Sequence, residues 1–308
     1  MVGSRRAAVG LALAFALAAP LALPGAPLRV AATSTDLKSL IEAVGGERVE
    51  VESLAPASHD PHAVEVKPGQ IARLKGAALL VRVGLDHEPW LAKVLAAAGE
   101  SRFAPGGPDV LDASRGVRLI QTETPRLRAD ARPHAHGLGN THYWLDPENA
   151  RPMTARILDA LARALPQERA RFEANRDRFL ERLDAGLARW SRQLAPWRGA
   201  RVVVTHDSWS YFAERFGLAI VAAAEPAPGV PPSPAELAAL IERMRAGRVR
   251  LVLAEPYSNP SLLRQLAERG GARVVTLAPS VGSDAAATDY LALFELNVKR
   301  LAEALAAY

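Results

Sequence analysis

Seven histidines are spread over 308 residues, and four of them stand in settings worth a chemical reading. His59 and His62 lie in SHDPH, directly after a strand-like run. His142 lies in NTHYWLDP, ahead of a helix start, and His206 follows RVVVT and precedes DSWSYFAERFG. Neutral imidazole is a common ligand for divalent ions, and three of them around a tetrahedral ion at about 2.0–2.1 Å make a zinc-type site. Taken singly, each histidine reads better as a surface or core residue than as a ligand. The placement of His62, His142 and His206 at loop ends beside predicted elements is what joins them as metal-ligand candidates. The chain has no cysteine, which excludes disulfides, thiolate metal sites, cysteine nucleophiles and a lipidated N-terminal cysteine.

The elements that must bring these residues together are strand-like runs alternating with amphipathic helices. LRVAAT (28–33), RVEVESLA (48–55), GAALLVRVG (76–84) and GVRLI (116–120) form a first set. RVVVT (201–205), LAIVAA (218–223), RVRLVLAE (248–255) and ARVVTLA (272–278) form a second. Such alternation implies parallel sheets covered on both faces, and two sets imply two α/β lobes, each with a four-stranded, mainly parallel sheet. In open α/β sheets the ligand crevice lies at the carboxyl ends of the strands, which puts His62 and His206 at crevice edges of different lobes.

Between the sets, residues 147–196 carry a long helical signal broken at Pro166. Phe172, Phe179, Leu183, Leu187, Trp190 and Leu194 line one face at spacings of three, four and seven. A helix of about 30 residues would reach roughly 45 Å, enough to join both lobes rigidly. Asp146 is expected to cap that segment, with Pro147 at its first position and Glu148 at the positive end of its dipole. His206 is expected to precede a helix capped by Asp207 or Ser208 and stopped by Gly217, and Ser233 to cap a helix beginning at Pro234. The stretch 121–141 reads as a surface loop carrying His134 and His136.

Composition sets the class. Residues 1–26 place Arg5 and Arg6 before an Ala/Leu run and prolines, the pattern of a cleaved export signal rather than a membrane span. The organisation expected is therefore a signal peptide (1–26), an N-terminal lobe (27–146), a helical link (147–196) and a C-terminal lobe (197–308), exported to the periplasm without a lipid anchor. The formal charge of +5 includes both signal arginines, and the rest are interleaved with acids along helical faces. No basic stripe for nucleic acid is present.

Four segments, HDPHAVEVKPGQIARLKGAALLVRVG, NTHYWLDPENA, VVVTHDSWSYFAERFGL and LVLAEPYSNPSLLRQLAERGGARVVTLAP, resemble in order the signature segments of metal-binding receptors of zinc and manganese ABC importers. The resemblance covers essentially all of the mature chain. It implies two four-stranded lobes joined by one long helix, an ion between them, and His62, His142 and His206 as its ligands. It also implies a monomeric receptor for Zn2+ serving a membrane permease and its ATPase, with no catalysis. Manganese receptors resemble this chain but carry a carboxylate where His206 stands, so the third imidazole suits zinc. Where many relatives read TLDP this chain reads TLAP, and Ala278 cannot ligate. Glu255, a water or Asp284 is left for the fourth position, with water and Glu255 ranked first.

Other residues take plainer readings. Asp60 is expected to accept the second ring N–H of His62, and His59 to be a neighbour or surface residue. Tyr143 and Trp144 are expected to pack beside the site, and His87 to lie near the lobe interface without an assigned role. His134 and His136 stand where zinc-selective relatives carry a histidine-rich acidic loop. A secreted zinc hydrolase using the same histidines is the rival from another class, although His-Glu-x-x-His is absent. A metal-binding adhesin on the same fold is a third reading.

Overall fold

The computed structural model describes residues 25–122, 139–226 and 229–307. The expected signal peptide, save its last two residues, and the His134/His136 loop lie outside them.

Among the described residues, eight strands form two all-parallel sheets. The first has order β2-β1-β3-β4, from β1 (Leu28–Ala32), β2 (Val49–Ser53), β3 (Leu79–Arg82) and β4 (Val110–Asp112). The second repeats it as β6-β5-β7-β8, from β5 (Arg201–Val204), β6 (Ala219–Ala223), β7 (Leu251–Ala254) and β8 (Arg273–Thr276). The central strand β7 is apolar throughout because helices cover both faces: all four of its residues are buried.

Helices α1 (Thr35–Gly45), α2 (Pro68–Gly76) and α3 (Leu91–Ala98) belong to the first sheet. Next in the chain come α4 (Ala150–Ala164) and α5 (Arg169–Leu194). The second sheet carries α6 (Ser210–Phe216), α7 (Pro234–Ala246), α8 (Pro260–Gly270) and α9 (Tyr290–Ala306). Ser233 caps α7 in a capping box with Glu236, as expected from sequence.

The 147–196 segment breaks at Pro166, as expected, into a hairpin of two helices. Asp146 caps a 3-10 turn by accepting from Glu148 N–H at 3.0 Å, α4 follows, and Pro166 opens the turn that reverses the chain into α5. The expected stripe, Phe172 to Leu194, is buried along α5. The start of α5 sits on the first lobe, where Asn175 Nδ2 donates to Val44 O at 2.8 Å. Its end sits on the second, where Trp190 Nε1 donates to Glu295 Oε2 at 2.9 Å. Its 26 residues span about 39 Å, so α5 alone makes the crossing.

One strand is misplaced by the sequence reading. The fourth strand of the first sheet is Val110–Asp112, paired with β3, not 116–120. A strand of three residues is too short to display a period of two. Residues 117–121 instead leave the sheet and run against α6. There Ile120 N–H donates to Tyr211 Oη at 3.3 Å, Gln121 Nε2 donates to Ser210 Oγ at 3.0 Å, and Arg118 pairs with Glu214. Val117 and Ile120 of this run join the main hydrophobic core.

Candidate metal centre

The carboxyl ends of both sheets face a common seam, and the three candidate histidines meet there. His62 comes from the loop after β2, His206 from the turn one residue beyond β5 and Thr205, and His142 from the segment entering α4. Ligand-type atoms of all three lie within 4.8 Å of one another. The Nε2 atoms of His62 and His142 are 3.1 Å apart, close to the roughly 3.3 Å that two nitrogens share on a tetrahedral zinc ion. Ring centroids of His206 stand 5.2 Å from His142 and 5.8 Å from His62. Both ring nitrogens of His206 are buried and have no hydrogen-bond partner among the described residues. Burying such polar atoms costs stability, and a cation at the centre of the ring of imidazoles would use one of them.

Two of the imidazoles are aimed by their second nitrogen. His62 Nδ1 lies 3.2 Å from the carbonyl oxygen of His87. His142 Nδ1 lies 3.1 Å from Asn140 Oδ1, which also accepts the His142 backbone N–H at 2.9 Å. A proton held on each Nδ1 leaves the Nε2 lone pair for an ion. Asn140 is fixed in turn, its Nδ2 donating to Asp207 O at 2.8 Å and to Gln121 Oε1 at 3.0 Å.

The expected role of Asp60 is therefore corrected. Its carboxylate accepts the backbone N–H of His62 at 2.8 Å, a local Asx turn that competes successfully for the nearest donor, and the ring is oriented by His87. His87, left without a role by the sequence, is fully buried. Its ring centroid is 4.3 Å from that of His62 and 5.0 Å from Trp144, and its Nδ1 is 2.9 Å from Thr141 Oγ1. Asn140 was missed as well. His59 is exposed beside Ser58.

The segment around His142 is locked from both lobes. Tyr143 Oη donates to Val83 O at 2.7 Å on one side, and Trp144 Nε1 to Pro279 O at 2.9 Å on the other. Asp146 forms a two-bond ion pair with Arg215 of α6, at 2.7 and 2.8 Å. Tyr143 and Trp144 thus pack beside the centre, as expected. The turn after His206 differs from expectation. Neither Asp207 nor Ser208 caps α6: Asp207 accepts from Ser210 Oγ and Ser208 Oγ turns to Glu255, while Gly217 ends the helix in a left-handed conformation at φ 76°.

Glu255, ranked as a fourth ligand, is not among the residues whose ligand atoms converge. It is 2% exposed, and its oxygens accept from Ser208 Oγ at 2.5 Å, Trp209 Nε1 at 2.8 Å, Ser258 Oγ at 3.0 Å and Thr205 Oγ1. Four donors fill the sites a carboxylate offers. Asp284 is bound to Arg300 at 2.8 Å; the N–H of Ala286, ahead of the arginine, holds its carboxyl below the ordinary range. Ala278 is buried with its N–H and C=O both on the Asn297 amide at 2.8 Å.

Known proteins share this architecture. The high-affinity zinc uptake system protein ZnuA of Yersinia pestis is 27% identical over 280 residues, 87% of this chain and 87% of the relative. The zinc-binding lipoprotein AdcA of Streptococcus pneumoniae serotype 4 is 25% identical over 289 residues, 89% of this chain and 55% of AdcA. A crystal structure of ZnuA superposes with a TM-score of 0.75 at 26% identity, covering 90% of this chain and 99% of that one. The SBP FpvC of Pseudomonas aeruginosa, in complex with Mn2+, gives 0.76 at 25% identity, covering 91% and 99%. The model of the family described as the periplasmic component A of the zinc-uptake complex matches residues 30–304, and the chain belongs to that family.

Proposed function

We propose that this protein is a periplasmic receptor that captures Zn2+ between its lobes on His62, His142 and His206 and delivers it to an ABC importer permease and its ATPase. The observation that carries the reading is the convergence of three imidazole nitrogens within 4.8 Å from three separate segments. Zinc is favoured over manganese because the group offers nitrogen without a carboxylate, and borderline ions prefer imidazole where harder ones prefer oxygen. A water completes the tetrahedron in this reading, since Glu255 is engaged by four donors. Residues 27–146 and 197–308 act as the two lobes, with 147–196 linking them in a monomer, exported by the 1–26 segment. The family is one of solute-binding components rather than enzymes, so the water stays a ligand and is not turned over.

Competitive titration against a chromophoric chelator tests this. Wild type is expected to bind one Zn2+ tightly, and His62→Ala and His206→Ala to lose at least about 100-fold in affinity, as removal of one of three protein ligands implies. Unchanged affinity in both variants would refute the ligand assignment. Because the ligating imidazoles must be neutral, affinity is expected to fall on acidification.

A further inference from the structure

The two lobes repeat more than their strand order. In each, a threonine just past the first strand donates to a buried glutamate beyond the third. Thr33 Oγ1 donates to Glu88 Oε1 at 2.6 Å, and Thr205 Oγ1 donates to Glu255 Oε2. Glu88 is 5% exposed and Glu255 is 2% exposed. Each clamps a turn that serves the imidazole group. Glu88 accepts the N–H groups of Val83 at 2.6 Å and Gly84 at 3.2 Å, at the root of the turn whose His87 carbonyl orients His62. Glu255 accepts from Thr205, Ser208 and Trp209, which flank His206.

The pair is asymmetric in charge. Glu88 has its own cation, Arg82 Nη2 at 3.7 Å from Oε2. Among the described residues, no ion pair reaches Glu255, whose partners are all neutral donors. It acts as a like charge on its neighbours. Burial, with Glu255 and Asp60 as like charges, lifts Glu225 to about 7. Burial together with Glu255, Asp60, Glu225 and Asp36 pushes the Tyr257 hydroxyl well up. A buried carboxylate without a counter-ion is costly, and hydrogen bonds meet only part of the cost. His206 lies in the chain between two of the donors to Glu255, Thr205 and Ser208, and has two buried, unpartnered ring nitrogens. A divalent ion held by three neutral imidazoles would carry its full charge into the same low-dielectric seam.

We propose that Glu255 is the counter-charge of the bound cation: a non-ligating, positioning carboxylate that holds the His206 turn and makes the pocket favour a doubly charged ion over a singly charged one. The proposal rests on the reading of His62, His142 and His206 as the metal site, and it gives the receptor a charge filter separate from its ligand set. Coulomb energy scales with the charge of the ion, so neutralising Glu255 costs a +2 ion about twice the free energy it costs a +1 ion.

The test is Glu255→Gln, in which the amide oxygen still accepts from Trp209 and Ser208 and the amide nitrogen donates to the hydroxyls of Thr205 and Ser258. Affinities for Zn2+, and for Cu+ under anaerobic reducing conditions, are measured by chelator competition on wild type and variant. Asp159→Asn, an exposed site on α4, controls for net charge. A Zn2+ loss on the order of 100-fold with a Cu+ loss of about 10-fold is expected, the ratio following from charge scaling. Equal losses for the two ions would reduce Glu255 to a structural part, and no loss would remove it altogether; either overturns the proposal. So does a Co2+-loaded variant whose visible spectrum shows one protein ligand fewer than wild type, which would make Glu255 a ligand. If Glu255→Gln does not fold, Glu255→Asp is the arbiter. It keeps the charge and should keep the Zn2+-to-Cu+ affinity ratio within about threefold, and collapse of that ratio overturns the idea. Failure of wild type to bind either ion would sink the metal-site reading itself, and the counter-charge with it.

Discussion

At the scale of single residues, Asn140 shows how much of the proposed metal site would lie outside its ligands. One amide accepts both the ring and the backbone N–H of His142 and donates across the seam to Asp207 O, so it sets the tautomer of one imidazole and its distance from the His206 turn together. Partners of this kind are worth about 10–100-fold in metal affinity. Asn140→Ala is therefore expected to weaken Zn2+ binding by that factor while leaving a 1:1 complex, read by chelator competition; an unchanged constant would show that His142 needs no such guide. His62, His142 and His206, which the structure brings together, were suggested by their places at loop ends and singled out by the resemblance to metal-binding receptors. The groups that aim them were not. His62 is aimed by a backbone carbonyl, which any residue at position 87 would supply, and Asn140 in NTHYWLDP looks like an ordinary turn residue.

At the scale of elements, the turn from β3 into α3 concentrates the local strain. Gly84 sits at φ 83°, and Leu85 and Asp86 follow at φ 56° each, a left-handed run that non-glycine residues enter at a cost of about 1–2 kcal/mol apiece. The reversal delivers the His87 carbonyl to His62 and the Glu88 carboxylate back to the amides of Val83 and Gly84. A Cβ on Gly84 would meet Asp112 Oδ1 at 2.3 Å. Gly84→Ala is thus expected to destabilise the fold by about 2–4 kcal/mol, from a forced positive φ plus overpacking, and to loosen metal binding because His87 moves. Urea denaturation and chelator competition on the same preparation would check it, and a variant with wild-type stability would show that Asp112 yields freely. The sequence displays seven of the eight strands among the described residues and most of the helices, although α2 and α9 were not singled out. The eighth, β4, was hidden because three residues give no pattern, and the apolar run beyond it, packed on α6, imitated one.

At the scale of the whole molecule, the lobes are joined by more than α5. One hydrophobic core runs from the inner face of the first sheet through α1, α4 and α5 to α9 and the second sheet, and α1 adds polar ties across the seam. Asp36 Oδ1 accepts Val281 N–H at 2.9 Å, and Ser39 Oγ accepts Tyr290 N–H at 3.0 Å. Asp36 is fully buried, and burial raises its pKa from 3.8 to about 7 against the opposing hydrogen bonds of Val281 and Ser280. Below pH 3.8 both folded and unfolded chains hold the proton, and Asp36 adds no pH dependence. Between 3.8 and about 7 the unfolded chain has released a proton that the folded one keeps, so rising pH erodes stability, by about 4 kcal/mol in total before the folded form also ionises. Asparagine in its place still accepts from Val281 and never titrates. Asp36→Asn should therefore match wild type near pH 4 and exceed it by several kcal/mol at pH 8, in urea denaturation of the metal-free proteins. Parallel stability profiles for the two proteins across that range would mean that Asp36 is already ionised in the native seam, and that the tie between the lobes is indifferent to its proton.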